Sequence, residues 1–233
     1  MVIRAGTSGF SYKEWKGDFY PEDLAASDML SYYASRLPAV EINNTFYRMP
    51  KAGVLESWAE QTPESFRFVL KASRRITHFK RLDDVDEDVR YFLETAGTLG
   101  ARLGAVLFQL PPNFKADLDR LAAFLDLLGA PERTAFEFRH PSWSAEGVAG
   151  LLTERGAALV TADTDEEAGE ITRTGSLGYL RLRRTEYAAE QLTDWGTRVQ
   201  AAGWTDAYVF FKHEDEAAGP RMAEEFMQLV GSG

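Results

Sequence analysis

No cysteine occurs in the chain, so disulfides, thiolate nucleophiles and cysteine metal sites are all excluded. That composition fits a reducing, cytoplasmic compartment. Histidine is nearly as scarce. Only His78, His140 and His213 are present, fewer than a hydrolytic multi-metal centre normally gathers. No run approaches the ~18 consecutive apolar residues of a membrane span, and Met1-Val2-Ile3-Arg4 enters a strand-like pattern in place of a signal peptide's apolar stretch. Positive charge is in deficit, with 26 Lys and Arg against 36 Asp and Glu and a net charge of -10. An acidic body gains neither counterion release on duplex nucleic acid nor attraction to an anionic bilayer. The expected partners therefore exclude a membrane and broad duplex binding, and leave room for a local basic pocket.

What the chain does have is a repeated alternation of large apolar residues with charged or amide residues. It is clearest in Val40-Glu41-Ile42-Asn43, Phe136-Glu137-Phe138-Arg139 and Leu180-Arg181-Leu182-Arg183. Eight strand-like runs are read at residues 2–7, 39–43, 67–72, 105–110, 134–139, 158–163, 178–183 and 206–212. Amphipathic helices are expected between most of them, over 26–36, 54–61, 84–100, 116–128, 145–155, 191–202 and 218–230, with an irregular link over 164–176. Strands and helices in alternation predict parallel strands, and 233 residues fit one α/β domain spanning 1–233. A (β/α)8 TIM-barrel-like fold is the simplest closure, with a doubly wound open sheet as the alternative.

In such a barrel Val40, Ile42, Phe136, Phe138, Leu180 and Leu182 face the helices, and their polar neighbours face the axis. Lys71, Gln109, Asp163 and Lys212 fall near the C-terminal ends of their strands, where barrel enzymes place functional groups. The inward set then opposes Glu41, Glu137 and Asp163 to Lys71, Arg139, Arg181, Arg183 and Lys212, an excess that favours an anion. The competing reading is structural: Glu137 pairs Arg181 and Asp163 pairs Arg183 in a buried network. For a single residue the two readings weigh about equally. For the whole set, eight ionised groups in a dry core cost several kcal/mol each, which favours a site.

Six segments carry a resemblance: Thr7-Ser8-Gly9-Phe10-Ser11-Tyr12; Trp15-Lys16-Gly17 with Phe19-Tyr20-Pro21; residues 40–48; Lys71-Ala72 with Thr77-His78; Phe108-Gln109-Leu110-Pro111-Pro112; and Glu137-Phe138-Arg139-His140-Pro141-Ser142-Trp143. In this order they resemble the YecE-like family, domain-of-unknown-function family 72. The resemblance spans nearly the whole chain and implies a TIM-barrel-like fold, related in shape to the xylose isomerase and endonuclease IV barrels. It implies no settled activity. Many members end the last strand in an aromatic followed by an Asn-Asn-Asp type segment, where this chain has Phe211-Lys212-His213-Glu214-Asp215. Arg183-Arg184 stands where a His-Gly type pair is frequent, so the ligand is expected to differ between branches.

Three functions follow. The first is an enzyme binding a phosphorylated or carboxylated small molecule. Glu41 and Glu137, with pKa values raised by apolar walls, act as acid/base groups, and Arg139, Arg181 and Arg183 form the clamp. His140 is either a base or a turn cap before Pro141. Lys71 reads as a salt-bridged binding group more simply than as a Schiff-base nucleophile. Among the mouth aromatics Tyr12, Trp15, Phe46, Tyr47 and Trp143, the Tyr47-Arg48 pair beside Asn43 and Asn44 is the best stacking candidate, while Trp15 and Phe46 read as loop anchors. The second function is a non-catalytic module for an anionic ligand or single-stranded nucleic acid. The third is a metal-dependent phosphodiester hydrolase, by fold analogy alone. No cofactor is predicted. A single divalent ion on Glu41, Glu137 and Asp163 stays open, opposed by the five cations.

Overall fold

The computed structural model describes residues 1–144, 146–212 and 217–231. The strands are β1 Val2–Ser8, β2 Ala39–Ile42, β3 Arg67–Lys71, β4 Leu103–Gln109, β5 Thr134–Glu137, β6 Ala158–Leu159, β7 Thr161–Asp163, β8 Leu177–Leu182 and β9 Asp206–Phe211. They form one sheet in the order β6-β5-β4-β3-β2-β1-β9-β8-β7, parallel at every pairing. The two edge strands are consecutive in the chain. Ala158 and Leu159 pair with β5, the chain steps at Val160, and Thr161 to Asp163 pair with β8. The sixth expected strand is thus two short ones, each serving a different neighbour, and the sheet curls into a nearly closed barrel.

The helices are α1 Met29–Arg36, α2 Asn44–Tyr47, α3 Ala52–Glu60, α4 Asp86–Ala96, α5 Leu118–Leu128, α6 Glu146–Arg155, α7 Ala189–Ala201 and α8 Ala218–Gly231. Local signals explain their ends. The Asp117 carboxylate accepts the Arg120 N–H at 3.0 Å to start α5, and Gly129, at φ 70°, stops it. The expected helix over 84–100 ends earlier, because Gly100 at φ 56° kinks the following 3-10 segment. Ala145, where α6 was expected to begin, lies outside the described residues. No helix among the described residues is long and apolar enough to cross a membrane.

Two separate apolar cores decide between barrel and open sheet. The outer core joins strand residues such as Val40, Phe136 and Leu180 to Leu30, Phe92, Leu125 and Phe226 of the helices. The inner core holds Ala39, Val69, Leu107, Ala135, Tyr179 and Phe210 and draws its buried members from strands alone. A doubly wound sheet would need helical residues on both faces. Ile42, Phe138 and Leu182 join the outer core as expected, so the opposite parity faces the axis. Small aliphatic side chains and the rings of Tyr179, Tyr208 and Phe210 fill the barrel floor, and polar side chains follow toward the C-terminal ends.

Candidate functional site

Parity and strand ends together bring Glu41, Lys71, Gln109, Glu137 and Arg181 into one layer above the floor. Arg181 is its hub. Its Nη2 donates to Glu41 Oε1 at 2.8 Å and its Nη1 to Glu137 Oε2 at 2.6 Å. Glu41 is fully buried, and it also accepts from Ser8 Oγ at 2.8 Å, Tyr179 Oη at 2.7 Å and Asn43 Nδ2 at 3.0 Å. Glu137 accepts Gln109 Nε2 at 2.8 Å and Arg139 Nε at 3.1 Å. Gln109 Oε1 in turn accepts Lys71 Nζ at 2.8 Å, and that ammonium lies 4.3 Å from the centre of the Phe46 ring.

The electrostatics follow from this geometry. Burial would raise the Glu137 carboxyl, but the Arg181 and Arg139 charges and the Gln109 and Arg181 hydrogen bonds outweigh it and hold the group at about 2. Glu41 is likewise lowered: burial opposes ionisation, and the Arg181 charge with its Tyr179, Arg181 and Asn43 hydrogen bonds prevails. This corrects the expectation of raised carboxylates. Both are firmly ionised, because guanidinium contacts and not apolar walls surround their oxygens. Lys71 moves the other way, lowered to about 8 by burial and by Arg181, with Glu41 and Glu137 resisting. His78 is depressed to about 4 by burial, Lys71 and Arg139. Its Nδ1 lies 2.9 Å from Thr77 Oγ1 and its ring meets Phe46 edge-on at 4.8 Å.

Four cations, Lys71, Arg139, Arg181 and Arg183, thus share the field of two carboxylates. Arg183 is half-buried and makes no side-chain hydrogen bond or ion pair among the described residues. Burial and Arg181 lower its pKa. The buried Nε of Arg181 also has no partner among the described residues. Beside the layer, Gly9, Tyr12, Asn43, Asn44 and Trp58 line a cavity of about 360 Å³.

A family model described as "Protein of unknown function DUF72" matches residues 4–233. The chain belongs to the DUF72 family. Curated members similar to this DUF72 chain include the UPF0759 protein YecE of Escherichia coli, 37% identical over 128 residues, and the UPF0759 protein YunF of Bacillus subtilis, 32% identical over 152 residues. The matches take in 54% and 61% of this chain, and 47% and 52% of those proteins. The chain thus spans about half the length of the curated relatives it matches. Among solved structures, a DUF72 family protein of Thermotoga maritima superposes with a TM-score of 0.88 at 27% identity, over 99% of this chain and 100% of that one. A DUF72 family protein of Enterococcus faecalis gives 0.79 at 20% identity, over 99% and 96%, a likeness of fold.

Not every predicted site residue joins the layer of this DUF72 barrel. Asp163 departs most. Ala158 and Val160 take the inward parity, so Asp163 falls beside Leu182 on the outer side, where it accepts Arg184 Nε at 2.6 Å, Tyr187 Oη at 2.7 Å and the Gly169 N–H at 2.8 Å. The expected Asp163–Arg183 pair is therefore replaced by Asp163–Arg184. His140 serves the turn: its Nδ1 accepts the Ser142 N–H at 3.1 Å. Tyr47 and Arg48 are exposed on and after α2, a short helix where the sequence suggested a loop, and Tyr47 stacks with Arg74, whose Cζ is 5.5 Å from the ring centre. Trp15 and Trp143 are buried loop anchors, the latter donating to the Phe114 carbonyl at 2.7 Å. Lys212 is half-buried just past β9, whereas His213, Glu214 and Asp215 lie outside the described residues. Among the described residues no three His, Asp or Glu side chains converge as a metal site. Sequence reasoning missed Ser8, Tyr179 and His78. The parity that turns Arg181 inward also places Tyr179 on the inner face, whereas Ser8 falls one residue beyond the first run as read from the sequence.

Proposed function

We propose that the C-terminal mouth binds an anionic small molecule carrying a phosphate or carboxylate, with Arg183 and Arg139 as the clamp and Lys71 as a third donor. The carrying observation is Arg183, a half-buried cation that makes no side-chain hydrogen bond or ion pair among the described residues and lies beside three other cations. Holding a guanidinium there uncompensated is unfavourable, and an oxyanion offsets the penalty while matching its planar fork. Glu41 and Glu137 support this as fixed counter-charges that orient Arg181. Ionised well below neutrality, they are poor proton donors. If the bound molecule is transformed, Lys71 is the group with a proton exchangeable near neutral pH. Nothing in this reading requires a metal or a prosthetic group, and a cytoplasmic setting suits a chain without cysteine.

A second reading has its own observation. Arg74 lies between two exposed rings, 5.5 Å from Tyr47 and 5.2 Å from Phe79, a platform on which the bases of single-stranded nucleic acid can stack. A thermal-shift panel of phosphosugars, nucleotides, carboxylic acids, short oligonucleotides and divalent ions separates the two, because a ligand that binds only the folded state raises its melting temperature. The primary reading expects an organic anion that stabilises the wild type and fails on Arg183→Met. Stabilisation by oligonucleotides alone, lost in Tyr47→Ala and kept in Arg183→Met, replaces it with the second.

A further inference from the structure

The opposite end of the barrel is also cationic. Arg4, Arg67 and Arg133 line a cavity of about 290 Å³ at the N-terminal ends of the strands, together with Gly104, Tyr208 and the carboxylates of Glu132 and Asp206. That is room for several waters and for a small hydrated ion.

Each arginine is held by its neighbours yet retains free donors. Arg67 Nη1 donates to the carbonyls of Glu64 at 2.8 Å and Phe66 at 3.0 Å. Arg133 Nη1 reaches the Leu103 carbonyl at 3.4 Å, and Arg4 Nη1 pairs with Asp206 at 2.8 Å. The Nε and Nη2 atoms of all three make no hydrogen bond among the described residues. Asp206 answers one of the three charges. Glu132, on the exposed rim, forms no ion pair among the described residues.

Tyr208 supplies the second, independent observation. The residue is only 3% exposed, and its hydroxyl has no hydrogen-bond partner among the described residues. The hydroxyl nevertheless retains some accessible surface, on the side of the cavity that the residue lines. Gly104 makes that placement possible, since a Cβ there would lie 2.5 Å from the hydroxyl oxygen. A buried phenol aimed into a cavity beside three guanidiniums is a donor without an acceptor.

We infer that this N-terminal cavity is a second binding site, for a small phosphate-like oxyanion, with Arg67 and Arg133 as the charged arms and the Tyr208 hydroxyl as the neutral donor. It is independent of the mouth: no residue is shared, and the inner apolar core of the barrel lies between them.

The test titrates inorganic phosphate calorimetrically at constant ionic strength into Arg183→Met protein, in which the mouth clamp is removed. One phosphate per chain is expected. Affinity then falls about tenfold or more on adding Arg67→Met or Arg133→Met, and about three- to tenfold on adding Tyr208→Phe. Melting temperatures of the unliganded variants, taken alongside, show that each remains folded, and Tyr208→Phe keeps the ring and its packing. Absence of phosphate binding, or binding indifferent to both Arg133→Met and Tyr208→Phe, overturns the inference. Because the titration is made without the mouth clamp and Arg67, Arg133 and Tyr208 take no part in the mouth, this result and that of the mouth test fail separately.

Discussion

Arg181, in β8, and Arg183, just past the end of that strand, stand two residues apart, and their surroundings give them opposite duties. Arg181 is buried with a carboxylate on each side; Arg183, nearer solvent, makes no ion pair among the described residues. Breaking a buried pair leaves a charge uncompensated, so Glu137→Gln or Glu41→Gln should each lose about 3–5 kcal/mol of stability by urea denaturation. Arg183→Met should stay within about 0.5 kcal/mol of wild type or gain slightly, since its burial beside Arg181 already disfavours the charge. Equal losses from all three would make Arg183 a structural residue and remove the clamp. Alternating apolar and polar residues made this layer readable from sequence, because the partners of Glu41, Glu137 and Arg181 are all large and apolar. The direction of the carboxylate shifts was not readable. Burial alone predicts a raised pKa, and the approach of Arg181 to within 2.6–2.8 Å, together with the neighbouring hydrogen bonds and, at Glu137, the Arg139 charge, reverses the sign.

At the level of elements, the break at Val160 fixes what β7 contributes. The polar residues Thr161 and Asp163 share one parity and Ala158, Val160 and Ala162 the other, so the alternation that worked elsewhere pointed Asp163 inward, and the weak contrast between the small apolar partners is why it failed here. Its partners Arg184 and Tyr187 lie beyond β8, in a loop no local pattern ties to β7. The Asp163 cluster joins that loop to the irregular link through the Gly169 N–H, and Thr161 Oγ1 donates to the Glu170 carbonyl nearby. Asp163→Ala should therefore lose about 2–3 kcal/mol by removing charge-assisted hydrogen bonds, and anion binding at the mouth should be unchanged. Calorimetric titration of that variant checks the claim, and a parallel loss of affinity would return Asp163 to the ligand site.

For the whole molecule, the ionised layer sets the acid limit of stability. Glu137 titrates near 4.5 when unfolded and at about 2 when folded, so the unfolded chain binds more protons between those values. Its contribution, about 3 kcal/mol, is complete above pH 4.5 and lost as pH falls toward 2. Glu41 and Asp163 add in the same direction. Urea midpoints should fall steeply across this window in wild type and less steeply in Glu137→Gln. Lys71 acts at the other limit. Its charge is lost as pH rises through about 8, and a clamp that uses it should weaken there, by a fall in anion affinity between pH 7 and 9.

The fold at this scale was legible because period-two runs and amphipathic helices alternate through most of the chain. The occupant of the mouth was not, because parity reports which way a side chain points and nothing about what meets it. The decisive measurement is a calorimetric titration of the wild type and Arg183→Met with the anion that most stabilises the protein in the thermal-shift panel. One molecule per chain bound by the wild type, with affinity at least about tenfold weaker in Arg183→Met at unchanged folding stability, is the predicted result. Equal affinity in the two proteins, or no anion that binds the wild type, would contradict it and leave the charged layer as a structural core of the barrel.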